Sequence, residues 1–328
     1  MRRILLAGAL VCLSSCGGSD RSSTPPPTAP SPVPQPQTWT IAGSIVDTIS
    51  SSPISGATLS FPGQSVSGSS DGLWQLQGTG TSTNQGVLIS APGYHSRETT
   101  VAWSAGGRTD VRIDLIPDRT PFNLEFFRHF VRNGFEEPSS LRALRRWTTS
   151  PNFYIHARNP RNSQPLLQSE ITVLERAIRE AVPQLTGGLF SAGTIEVGTT
   201  PPVRRTGYID VVFVYEPEGD FCAEAFVGAN PGEITVNYDR CPSACGSFAP
   251  ETVAHEVGHA MGFWHTAGNG IMNPNRLRAC SNLVFSETER LHARVAYARP
   301  NGNTDVDKDP LSFTAIETGE RTRIRCRH

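Results

Sequence analysis

His255-Glu-Val-Gly-His-Ala-Met-Gly-Phe-Trp-His265 places three of the chain's eight histidines, one glutamate and two glycines within eleven residues. Pro250, just upstream, suits the first turn of a helix, and the residues that follow it are compatible with one. On a helix, side chains four residues apart project from the same face. His255 and His259 therefore offer two imidazole nitrogens to one ion, while Glu256 is rotated off that axis. Gly262 lacks a Cβ and can adopt the left-handed conformation that ends a helix. Such a turn brings His265 back toward the first two histidines, whereas a continuing helix would carry it roughly 9 Å along the axis. Three imidazoles with one open position make the donor set of a catalytic zinc, and a carboxylate beside that position can serve as general base. The spacing thus predicts His255, His259 and His265 as metal ligands, Glu256 as the base and Gly262 as the helix-ending turn.

Chance is a poor explanation. A bare H-E-x-x-H arises on the order of once in a hundred chains of this length, and the added Gly and His cut that several hundredfold. Taken together, His255, Glu256, His259, Gly262 and His265 resemble, without a gap, the H-E-x-x-H-x-x-G-x-x-H signature of the metzincin clan of zinc metallopeptidases. That clan also carries a tight turn with a methionine beneath the metal, and Met272 in "GNGIMNPN" stands seven residues after His265. Upstream, "CAEAFVGANPGEITVNYD" resembles the stretch of matrix-metallopeptidase-like members that supplies the upper edge strand and the strand after it. The resemblance implies that Cys222, Ala223, Glu224, Ala225 and Phe226 form a sheet edge on which an extended peptide adds itself as a further strand. It covers roughly residues 151 to 300, with its specific motifs between His255 and Pro274.

Two departures limit it. Pro274 stands where astacin-like and serralysin-like members carry a zinc-ligating tyrosine, so no fifth ligand is expected. Thr266 follows the third histidine where several subfamilies have a diagnostic residue, and no subfamily is assigned. The resemblance implies a zinc endopeptidase with one catalytic Zn2+, a protein or peptide substrate, and Met272 as a floor without a chemical part. Two rivals stand beside it. One is a non-enzymatic surface adhesin or binding lipoprotein with a structural zinc, disfavoured because structural zinc sites are closed by four protein ligands. The other is a peptidase specialised for cell-wall peptides.

The N-terminus, "MRRILLAGALVCLSSC", joins Arg2 and Arg3 to an apolar run too short to span a bilayer, which reads as an export signal over residues 1–15. Leu13-Ser-Ser-Cys16 resembles a bacterial lipobox. By that resemblance Cys16 is lipidated and holds the protein to the cell envelope, at the outer membrane in a Gram-negative cell; plain secretion is the alternative. Export implies an oxidising compartment for Cys222, Cys241, Cys245, Cys280 and Cys326, hence two disulfides whose pairing stays open. Balanced charge, 29 basic against 30 acidic residues, argues against a nucleic-acid partner, and a monomer is expected.

Residues 16–38, rich in Pro, Ser and Thr, read as an extended tether. Residues 39–117 break into short β-rich runs such as "WTIAGSIVD" and "TDVRIDLIP", predicting a small antiparallel sandwich. Gly43–Asp47, Pro53–Ala57, Asp71-Gly72 and Pro92-Gly93-Tyr94 make it resemble the carboxypeptidase regulatory-like domain, with a spacer or adhesion role expected. Residues 118–150 read as a helical connector in which Leu124, Phe127 and Val131 share a face. From 151 to 300 strands and helices interleave, predicting an α/β domain with a mixed, mostly parallel sheet. Within it, Ser169 is expected to cap a helix ending before Pro183, and Ser286 with Glu289 forms a capping-box pattern. Residues 301–328 read as a tail. Calcium at Asp305, Asp307 and Asp309 is not supported, since the EF-hand pattern lacks its glycine and terminal glutamate, and a solvated loop is expected there.

Overall fold

The computed structural model describes residues 37–80, 83–241, 246–275, 283–311 and 321–325. The expected signal, the lipidated Cys16, nearly all of the tether, and Cys245, Cys280 and Cys326 lie outside the described residues. The architecture is multidomain and mostly β: among the described residues there are three sheets and four helices, built around two hydrophobic cores.

The first core sits between two sheets. Strands β1 (Thr38–Asp47), β2 (Thr58–Phe61), β3 (Gln64–Ser67), β4 (Leu73–Thr79), β5 (Thr83–Ser90), β6 (Arg97–Trp103) and β7 (Arg108–Leu115) order as β4-β1-β7 and β3-β2-β5-β6. Alternation does the sorting. In β7, Val111, Ile113 and Leu115 are buried, as are Trp74 and Leu76 in β4 and Val87 and Ile89 in β5. The sandwich is not wholly antiparallel as expected, because β1 and β7 pair in parallel, Ile45 opposite Ile113. β7 follows β6 of the opposite sheet and so enters its own sheet from the end at which β1 begins.

The second core holds helix α1 (Leu124–Arg132), strand β8 (Asn152–His156), helix α2 (Gln168–Leu185), strands β9 (Ile195–Gly198), β10 (Tyr208–Val214), β11 (Phe221–Phe226) and β12 (Gly232–Asn237), helices α3 (Pro250–Ala260) and α4 (Glu287–Tyr297), and strand β13 (Arg321–Arg325). The sheet order is β13-β11-β12-β10-β8-β9, parallel from β12 to β9 and antiparallel on both sides of β11. The Asn123 side chain caps α1, and Phe127 and Val131 are buried on the face that the sequence marks. Helix α2 departs from expectation at both ends. It starts after Leu167, whose amide donates to Glu170 Oε2 at 2.9 Å, so Ser169 is not the cap. It also runs through Pro183, because buried Val182 and Leu185 anchor its last turn and the amides of Thr186 and Gly188 bond back into it. The α4 capping box forms as predicted, with the Ser286 hydroxyl accepting from the Glu289 amide.

Residues 301–309 do not form the expected solvated loop. Asn303, Asp307 and Asp309 are buried, and guanidinium groups answer their carboxylates. Arg299 binds Asp307 at 2.6 and 2.8 Å and Asp114 at 2.7 Å, while Arg97 binds Asp114 at 2.6 Å and Asp309 at 2.8 Å. Asn303 donates to both Asp307 and Asp309. Charges taken out of water persist only when paired and hydrogen-bonded in this way. The network joins β6 and β7 of the sandwich to the segment after α4, and from Gln37 onward the chain clusters as one compact unit.

Candidate metal centre

Pro250 opens α3 at its first turn, and every residue of the helix is buried. The helix stops at Met261, and Gly262 takes φ +108°, a region L side chains rarely adopt. A Cβ there would lie 2.0 Å from the backbone oxygen of Arg145. Groups distant in sequence satisfy the carbonyls that the helix end leaves free. Trp147 Nε1 donates to Ala260 O at 2.8 Å, the Tyr297 hydroxyl to Met261 O at 3.0 Å, and the Gly228 amide to His259 O at 3.0 Å. Beyond the turn, Phe263 stacks on Phe130 of α1 at 4.3 Å and the Trp264 amide donates to Phe130 O at 2.7 Å. The connector is thus the wall against which the turn toward His265 is pressed.

Each imidazole is oriented from behind. His255 Nδ1 lies 2.6 Å from Ile271 O and His259 Nδ1 lies 2.7 Å from Phe263 O. Carbonyl oxygens only accept, so these nitrogens carry the protons and leave Nε2 bare. His265 Nδ1 lies 2.6 Å from Glu136 Oε1. The three Nε2 atoms converge, His265 standing 3.1 Å from His259 and 3.2 Å from His255. A tetrahedral ion with bonds of about 2.0–2.1 Å needs ligand atoms about 3.3–3.4 Å apart, so the cluster fits one. Burial, then the neighbouring His255 and His265, hold His259 well below the usual imidazole range, which keeps its lone pair available. Among the described residues this is the one group of three or more His, Cys, Asp or Glu side chains placed to hold a metal ion.

Glu256 is fully buried, and neither carboxylate oxygen has a hydrogen-bond partner among the described residues. Burial, then the Glu224 charge, pushes its carboxyl well above the ordinary range. A buried carboxylate left unpaired beside three bare imidazole nitrogens is a costly arrangement unless a cation shares the cavity. Met272 is buried beneath the helix, and a Cβ at Gly258 would lie 2.3 Å from its sulfur. Gly258 therefore lets the methionine turn seat against α3. Glu289 holds that turn, accepting from the Met272 amide at 2.8 Å, while the Met272 carbonyl accepts from Thr266.

Cys222 pairs with Cys241 in a disulfide, and Ala223 and Ala225 turn into the core with Val253, Ala254 and Val257 of α3. Glu224 and Phe226 lie on the opposite face of β11. The free edge expected over residues 222–226 is not found. β13 pairs antiparallel along β11, Arg321 opposite Phe226 and Ile324 opposite Ala223, so part of the expected tail is a sheet strand. Glu136, Arg145, Trp147 and Gly258 are among the contributors to the site that have no counterpart in the motif. Of these, only Gly258 left a trace in the sequence, as a glycine inside a helix, where that residue is unfavourable without a packing reason.

No family model and no curated protein sequence matches the chain. Among solved structures, 3-chlorocatechol 1,2-dioxygenase from Rhodococcus opacus 1CP is 10% identical with a TM-score of 0.22, over 25% of this chain and 61% of that one. The Bacillus anthracis TIE protein is 12% identical with a TM-score of 0.22, over 25% and 17%. A DUF3823 family protein from Parabacteroides merdae ATCC 43184 is 13% identical with a TM-score of 0.21, over 25% and 48%. This chain spans less than two thirds of each, and likenesses this slight carry no argument about its activity.

Proposed function

We propose that the chain is a zinc-dependent endopeptidase of metzincin type, acting on peptide bonds of extracytoplasmic proteins and held to the cell envelope through lipidated Cys16. One observation carries the reading: the His265 Nε2 stands 3.1 and 3.2 Å from those of His259 and His255, all three within 4.8 Å of one another, and the residue after the first ligand is a buried carboxylate without a partner among the described residues. His255, His259 and His265 would hold the ion. Bound there, zinc would supply a Lewis acid that polarises a carbonyl and makes water acidic near neutral pH. Glu256 takes the proton of the attacking water and returns it to the leaving amine. Its burial raises its basicity, which suits that exchange. The carbonyls of Ile271 and Phe263 and the Glu136 carboxylate fix the three rings, so the donor set is preorganised. Met272 shapes the floor and exchanges no proton.

Glu256→Gln tests the assignment. The variant should keep one zinc per chain by elemental analysis and lose hydrolysis of casein by a factor of about 100 or more. Undiminished cleavage in that variant would refute the role given to Glu256. Absence of cleavage in the parent chain, with zinc bound, would favour a structural-zinc surface protein.

A further inference from the structure

We propose that the outer edge of β11 carries an arginine-reading subsite for an extended peptide, built from Glu224, Glu233 and Phe226, and that the chain's own strand β13 is its resident occupant. The proposal deepens the peptidase reading and rests on it.

Register brings the parts together. Ala225 lies opposite Ile234 of β12 on one side and Thr322 of β13 on the other, while Phe226 lies opposite Arg321. Glu233, the neighbour of Ile234, is therefore level with Phe226. Side chains two apart on a strand share a face, so Glu224 joins Phe226 there. The Arg321 guanidinium meets Glu224 with one terminal nitrogen and Glu233 with the other. Its carbon lies 4.2 Å from the centroid of the Phe226 ring. Two carboxylates from adjacent strands and an aromatic face make a cradle matched to the flat, forked cation of arginine and not to the point charge of lysine.

The backbone adds the second half of the recognition. β13 supplies β11 with the antiparallel ladder that an added peptide strand would supply. β11 packs against α3, the helix that carries His255, Glu256 and His259. A strand placed only to cover an exposed edge needs a charge or a proline. It does not need one arginine seated on two glutamates and a phenyl ring. A tethered strand competes at an effective concentration on the order of millimolar, so peptides that bind this edge must displace it.

The test uses the zinc-loaded full chain, its Arg321→Ala and Arg321→Lys variants, and two labelled peptides, RTRIR and the same peptide with its first arginine replaced by alanine. Binding is read by fluorescence anisotropy, so no cleavage is required. Arg321→Ala should bind RTRIR roughly tenfold or more tighter than the parent chain, with Arg321→Lys between the two. The alanine peptide should bind Arg321→Ala at least about tenfold more weakly than RTRIR, and adding Glu233→Gln should erase that preference. Equal binding of both peptides by parent and variants, or a lowered melting temperature without any gain in peptide binding, would overturn the proposal. If Arg321→Ala does not fold, Arg321→Lys decides: parent-like affinity for RTRIR overturns it and a gain supports it. A chain that binds RTRIR as stated but cuts no peptide upholds the subsite and fails the peptidase reading. One that cuts peptides with no change on freeing the edge does the reverse.

Discussion

Gly262→Ala isolates the turn that brings the third imidazole to the other two. The glycine sits at φ +108°, outside even the small left-handed region open to L residues. Holding alanine there costs about 1–3 kcal/mol as backbone strain. The added Cβ would also lie 2.0 Å from Arg145 O and 2.9 Å from Arg145 C, backbone atoms with no rotamer to change. Forcing such an overlap in a packed interior costs about 1–3 kcal/mol more. The sum, roughly 2–6 kcal/mol, is a large part of the 5–15 kcal/mol typical of a folded domain. If the turn yields instead of the fold, His265 moves and zinc affinity falls by on the order of 10–100-fold. Chemical unfolding of the chelator-treated protein reads the first quantity, and competition against a chromogenic zinc chelator reads the second. A Gly262→Ala protein matching the parent in both would refute the account of this turn.

Glu136→Ala should weaken zinc binding by about 10–100-fold with little effect on the stability of the metal-free chain, because its side chain is 41% exposed yet bonded to the His265 ring; equal affinity in the same competition assay would exclude it as a positioning residue. Burial pushes the Asp114 carboxyl up, but Arg299 and Arg97 prevail and hold it down at about 2. A depressed folded value means that its stabilisation is complete above the ordinary carboxylate range near pH 4 and is lost as pH falls toward 2. Melting temperature should therefore drop across that window in the parent, and Asp114→Asn should be less stable at pH 7 with a flatter profile below pH 4.

The helix bearing the ligands and the glycine that ends it are readable from local spacing, because each depends on residues within about twenty positions, while the methionine turn is readable only through the resemblance. Most strands are readable for the same reason, through the alternation in runs such as 111–115. What local spacing misses is whatever a distant residue completes. Glu136, Arg145 and Trp147 reach the end of α3 across more than a hundred positions, and no periodicity announces a single contact of that kind. Residues 303–309 look solvated because their carboxylates are visible in the sequence and the guanidiniums of Arg97 and Arg299 are not beside them. The same blindness hides β13: residues 301–328 read as a tail until Glu224 and Glu233 are seen to face Arg321. Pro183 misleads in another way, since a proline near the end of a helix loses one hydrogen bond that buried Val182 and Leu185 outweigh.

The salt-bridged knot of Arg97, Asp114, Arg299, Asp307 and Asp309 bears on how this architecture can be recombined. A β-sandwich that precedes a second packed core invites treatment as an exchangeable cassette, to be clipped off or swapped for another module. Here the graft would strand two acidic groups and an arginine of the remaining half in a dry interior, where each lost partner costs about 3–5 kcal/mol. Any transplant must therefore carry the counterparts of Arg97 and Asp114 along with the sheet, and a ribosome must reach residue 309 before the opening module can lock onto the rest.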